Sequence, residues 1–285
     1  SSLRDRHQDT LAIPKTYADD LKKCGLVICS IQTRSPFDAV HFSEISLRMI
    51  LGLSTFVSEY RNTSISWSGE EQPISKLSIA PHITAHLPNG DIPMSPELMW
   101  YTDWSPSRHN RHVSDKNAKT IRENTTRNLS ILRKSKHREY LEGVFVGYHE
   151  AFSEANQGTA MLKSWRLWEN VFGVESGQPG KAIRRCASLF GDAHNANLVA
   201  EHLRVRRNEM VHGMSNLSEG YAMMPAQLKL LIEPMIAKLL LGKEKFATVQ
   251  EFWGMLEHMS LPIRDLEQHR KIIEAALQAK KRQEK

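Results

Sequence analysis

From about residue 117 to the end of the chain, apolar residues recur at helical spacing and Gly and Pro fall between the periodic stretches, which predicts a succession of amphipathic helices. The periodicity places them near 117–156, 159–172, 179–190, 194–212, 225–241, 247–259 and 263–283. Gly173 and Gly191 each follow a periodic run, where a glycine can take the left-handed conformation that closes a helix. Pro225 opens the next segment, and Pro234 inside it predicts a kink, because proline lacks the N–H and its ring meets the preceding turn. In the helix near 159–172, Leu162, Trp165, Trp168 and Phe172 share one stripe, the pattern of a buried core rather than of a platform for stacked bases.

The first hundred residues read as mixed. Cys24 to Ile31 (CGLVICSI) is an apolar run of strand length, and Ser64 to Ser68 alternates with period two. Lys76 to Leu87 leads into Asn89-Gly90, a two-residue hairpin signal, because both positions tolerate positive φ. Between Ser35 and Tyr60, by contrast, Ser-Pro followed by Phe37, Val40, Ile45, Met49, Leu53 and Phe56 predicts an amphipathic helix opened by a cap and an N1 proline. Trp104 to Lys119 is polar and basic, with almost no aliphatics. The expectation is an α+β chain: a mixed, β-rich module over 1–104, a basic linker over 105–116, and an all-α bundle over 117–285.

Composition adds little to this picture and charge adds more. Hydrophobic residues make up 40% and charged residues 25%, values of a folded chain rather than a disordered one. The start, SSLRDRHQDT, has no apolar core of a signal peptide, and no run approaches the roughly 18 apolar residues of a membrane span, so a cytoplasmic protein is expected. Cys24, Cys29 and Cys186 have no partner Cys or His pair at zinc-finger spacing; they read as reduced and structural, with no metal or cofactor expected. The formal net charge is +6, and Asp103 to Tyr140 alone carries ten Lys or Arg against four acids, an excess equal to that of the whole chain. Such a stripe, with Arg133, Lys134, Lys136 and Arg138 at its end, suits a phosphate backbone; it equally suits a solvated helix face.

The segment Asn195 to His212 carries the chemistry. Leu198, Val199, His202, Val205, Glu209 and His212 read as including one buried face, with Gly213 as a stop. His212 then closes the helix, where the macrodipole favours a cation, and Arg204, Arg206 and Arg207 stand one to two turns before it. A proton-carrying imidazole beside fixed guanidinium groups is what phosphodiester cleavage without a metal requires: one group moves protons at the 2′-hydroxyl or leaving oxygen, and another binds the phosphate whose charge grows in the transition state.

Arg207-Asn208-Glu209-Met210-Val211-His212 resembles the Arg, four to six residues, His motif of the HEPN superfamily of ribonucleases. Gly213, the Trp168-Glu169-Asn170-Val171-Phe172 segment and the Lys181-Ala182-Ile183-Arg184-Arg185 helix resemble the ApeA-like branch known from anti-phage defence. The spacing alone also fits Arg34 with His41, Arg206 with His212, and Arg264 with His269; the helix end and the order of the preceding helices favour Arg207. The resemblance covers 117–285 and implies a homodimer whose two motifs face each other. In it Arg207 holds the scissile phosphate, His212 transfers protons, Asn208 orients the imidazole, and Glu169 and Arg206 support the site.

No GxxxxGK[ST], GxGxxG after a strand, HExxH or GxSxG stands in the sequence, which sets aside P-loop, Rossmann, zincin and hydrolase readings. Two readings remain. One is an endoribonuclease acting on RNA, tRNA among the substrates, as a defence effector or toxin. The other is a non-catalytic HEPN module that binds RNA, nucleotide or a protein partner.

Overall fold

Ser35 accepts a hydrogen bond from the Asp38 N–H, and Pro36 follows it at the first helical position, so the chain turns into a long helix where the sequence predicts one. In the computed structural model, which describes residues 27–62, 72–79, 82–85, 99–101, 115–174, 178–212, 223–242 and 246–284, this helix, α1, spans Pro36–Glu59. Eight further helices follow among the described residues: α2 Asp115–Lys134, α3 Arg138–Phe152, α4 Gln157–Val171, α5 Pro179–Ala187, α6 Ala193–Val211, α7 Met223–Leu241, α8 Val249–Met259 and α9 Ile263–Gln283. Two three-residue strands, β1 His82–Thr84 and β2 Met99–Tyr101, pair antiparallel.

The fold is therefore helical, and the expected α+β class with a β-rich N-terminal module is overturned. Val27 to Ile31, the described part of the apolar run, forms no strand; Val27 and Ile28 are exposed, and an apolar run with no sheet to join gains nothing from extension. Ser64 to Ser68 and Asn89-Gly90 lie outside the described residues. The register of β1 and β2 pairs Thr84 with Met99, whereas a two-residue turn at Asn89-Gly90 in an unbroken ladder would pair it with Ser95. The predicted helix over 117–156 is two: Ser135 Oγ accepts the His137 N–H at 3.1 Å, a local turn that competes with the helical ladder, and α3 starts at Arg138.

The core gathers α1, α3, α4 and α7. Gly52 lets α1 come against α3 so closely that a Cβ there would lie 2.0 Å from the Phe145 carbonyl oxygen. Around that crossing Phe56 meets Phe145 and Tyr148 edge-on, at centroid distances of 5.7 Å and 6.0 Å. By length and composition α1 is the one described helix that could cross a membrane, yet Leu53, Thr55 and Phe56 are buried in this shared core. Trp165, Trp168 and Phe172 of the predicted stripe are buried as well, while Leu162 is exposed.

Lys229 and Glu233 interrupt the apolar α7 and are wholly buried, one turn apart, with Glu233 immediately before Pro234. The Lys229 ammonium donates to Glu59 O (2.7 Å) and Asn62 O (3.0 Å), which closes the C-terminal end of α1. Glu233 accepts from the Tyr148 hydroxyl and from the Arg61 N–H, each at 2.7 Å. Arg61 holds a left-handed φ of 56°, the conformation that brings its N–H to the carboxylate.

At the other side of the bundle the end of α4 is held by three neighbours. Tyr140 Oη donates to Asn170 O and Val171 O, Trp253 Nε1 to Val171 O, and Arg185 to Phe172 O and Gly173 O. Gly173 takes φ +60° as predicted, and a Cβ there would meet the Trp253 ring at 2.4 Å. Gly191 does not take a positive φ; α5 ends earlier, at Ala187. Cys186 is buried, its thiol pushed up to about 12 by burial, and Cys29 is exposed and free.

Candidate functional site

Asp192 starts α6 by accepting the Asn195 N–H at 2.9 Å, and the helix runs to Val211 with His212 as its C-terminal cap. Its inward face is not the predicted one. Ala196, Ala200 and Leu203 are buried and Val199 and Met210 pack against the core, whereas Leu198, His202, Val205 and His212 are exposed. Small alanines allow α6 to lie close to its neighbours, and this packing, rather than the larger aliphatics, sets which face turns inward.

Arg207 continues the inward stripe of 196, 200, 203 and 210. It is half-buried, and its Nε is a buried donor with no hydrogen-bond partner among the described residues. Its Nη1 donates to Asn208 Oδ1 at 3.2 Å. The Asn208 carbonyl accepts the His212 N–H at 3.0 Å, so Asn208 touches both ends of the motif, Arg207 through its side chain and His212 through its backbone. Arg206 is paired with Glu209 at 2.9 Å. Five residues of regular helix rotate about 500°, which leaves Arg207 and His212 about 140° apart around the axis.

Glu169 stands elsewhere. A Cβ on Gly158 would lie 3.6 Å from Met210 Cε, which marks where α4 meets the motif end of α6. Glu169 is eleven residues further along α4, about 16 Å of helix, and no ion pair joins it to Arg207 among the described residues. Arg133, Lys134, Lys136 and Arg138 are brought together, all exposed, by the turn between α2 and α3; Arg138 bonds Glu142 at 2.7 Å. Tyr140 fixes this basic turn to the C-terminal end of α4, the end away from Met210. Arg108 and Arg111, like most of the expected linker, lie outside the described residues.

A groove of about 970 Å³ opens between α5, the start of α6 and the end of α8, and no residue of the motif lines it. Lys181, Arg184, His194 and His258 do. Sequence reasoning noted Lys181 and Arg184 only as part of a family-like helix and passed over the two histidines, since three separate segments must fold before these residues share a surface. No three described His, Cys, Asp or Glu side chains gather as they would around a metal ion.

No family model, curated protein or solved structure matches this chain. The likeness to HEPN ribonucleases thus rests on the residues themselves.

Proposed function

We propose that the protein is a metal-independent endoribonuclease of the HEPN type, cytoplasmic, and active as a homodimer in which Arg207 of one protomer and His212 of its partner serve one phosphodiester. The observation that carries this reading is the exposed His212 at the end of α6, one turn beyond an Arg207–Asn208 hydrogen bond. Within one helix the two side chains diverge, and a two-fold axis beside α6 supplies the missing convergence. Leu198 and Val205 on α6 and Leu162 on α4, 54%, 46% and 44% exposed, are apolar surface of the kind a second copy covers.

The chemistry assigned to the site needs no metal ion. Arg207 binds the phosphate, His212 takes the proton of the 2′-hydroxyl and returns one to the leaving oxygen, and the products end in a 2′,3′-cyclic phosphate. A defence effector or toxin is the matching biological class. The deciding experiment is incubation with total RNA and with tRNA in EDTA, wild type beside His212→Ala. Cleavage by the wild type alone is expected, and activity that returns only with added magnesium or manganese would refute the mechanism.

One observation favours the second reading, a non-catalytic module that binds RNA, nucleotide or a protein. Arg207 belongs to the inward stripe, and its buried Nε suits a packing role for part of the side chain. Intact RNA in both samples would leave that reading standing.

A further inference from the structure

The groove at the start of α6 has an unbalanced charge. Glu257 is the one acid in its lining, and it is already engaged by Lys181 at 3.1 Å and by Arg185 from behind. Burial alone would raise the Glu257 carboxyl, but the hydrogen bonds from Lys181 and Arg185 outweigh it and hold the group below its usual range. Arg184 is exposed and makes no ion pair among the described residues. His194, on the first turn of α6, and His258, at the end of α8, face the same space. An anion entering here therefore meets a free guanidinium and two imidazoles, with no opposing carboxylate available.

The rest of the lining mixes the polar Ser188, Asn197 and Ser260 with apolar residues, among which Phe190, Met259 and Leu261 supply an aromatic ring and flexible aliphatic surface. A guanidinium, two imidazoles and an aromatic ring in one lining are the elements of nucleotide recognition, and the volume is at the upper end of the range for small-molecule sites. Packed side chains also link the groove wall to α3, the helix that begins at the basic turn. Tyr140 packs edge-on against Trp253 at 6.1 Å, Arg185 stacks on Trp253 at 5.5 Å, and Arg185 reaches Glu257 in the groove wall.

We propose that this groove binds a nucleotide, with its phosphate at Arg184, His194 and His258 and its base against Phe190, taken either as a free nucleotide or as part of a single-stranded RNA. The site is separate from the Arg207–His212 motif: His194 and Arg207 are thirteen residues apart on α6, about 20 Å. It holds whether or not that motif cleaves RNA.

The test uses the full chain carrying His212→Ala, so that no substrate is consumed, and measures calorimetric binding of AMP, ATP and 5′-phosphorylated hexa-adenylate at fixed salt. At least one should saturate in the micromolar to millimolar range, and Arg184→Glu or His258→Ala should weaken it about tenfold or more. Both positions are exposed, and Arg184→Gln, which keeps the shape of the chain and removes the charge, serves as a milder variant should thermal melts reveal a damaged fold. Equal binding of ATP and the oligomer identifies a free nucleotide, and binding of the oligomer alone identifies an RNA strand. The proposal is overturned if none binds at millimolar concentration, or if all three variants leave the affinity within twofold.

Discussion

Lys229 and Glu233 meet at 2.7 Å on successive turns of α7, with neither side chain reaching solvent. Each is also bonded to α1 or its C-terminal extension, Lys229 to carbonyls and Glu233 to the Arg61 N–H. Removing one partner leaves the other charge buried and unmatched, which typically costs about 3 to 5 kcal/mol, while an apolar pair of similar volume can be close to neutral. Lys229→Ala should therefore unfold the protein at much lower urea. Lys229→Met with Glu233→Leu removes the unmatched charge and should be less destabilised than the single substitution, but it stays below wild type because the Tyr148 hydroxyl and the Arg61 N–H lose their acceptor. Equal destabilisation by the single and the double substitution would contradict this account of the pair.

His149 predicts a dependence of stability on pH. It is buried, with Nδ1 unpartnered, and burial followed by the charge of Arg48 lowers it to about 4. In the unfolded chain an imidazole titrates near ~6.5. Between the two values the unfolded state takes up a proton that the folded state refuses. Stability is thus full above about pH 6.5 and falls as the pH drops towards 4, by on the order of 3 kcal/mol over the whole interval. Urea unfolding at pH 7.5, 6.0 and 5.0 measures it: the acid loss should be smaller in His149→Gln. Parallel slopes for the two proteins would assign the effect to other groups.

The sequence makes the helices of the second half legible because their periodicity is long and their breaks are chemical, as at Asn156, whose side chain caps α4. It does not make legible whether a short apolar run finds a partner, which is why Val27 to Ile31 reads as strand and is exposed coil. The faces of α6 were hidden for a related reason: Ala196 and Ala200 contribute little hydrophobicity but permit close packing. The motif itself could be read in one segment, its burial could not. The groove requires side chains from positions 181 to 261 and has no local signature.

For the basic turn, replacement of Arg133, Lys134 and Lys136 by Ala should weaken RNA binding at every sequence. Each lost phosphate contact should lower the slope of log affinity against log salt by about 0.7 to 0.9. Filter binding over a range of salt concentrations measures the slope, and an unchanged value would make the turn a solvated surface only.

A composite site predicts how mixed dimers behave. When His212→Ala chains are added in excess to wild type, activity should fall faster than the wild-type fraction as subunits exchange. RNA cleavage strictly proportional to wild-type content, after exchange has been verified, would show that each protomer works alone.

The end of α4 bears on how the molecule comes apart. The carbonyls at and just past its end are held by Tyr140 from α3, Arg185 from α5 and Trp253 from α8, so fraying of that end must break contacts to three other helices at once. Helix ends ordinarily open at little cost and exchange their amide hydrogens within a short time. Here the amides at the end of α4 should resist exchange as long as those at its centre, making four helices that are distant in sequence a single unit of opening.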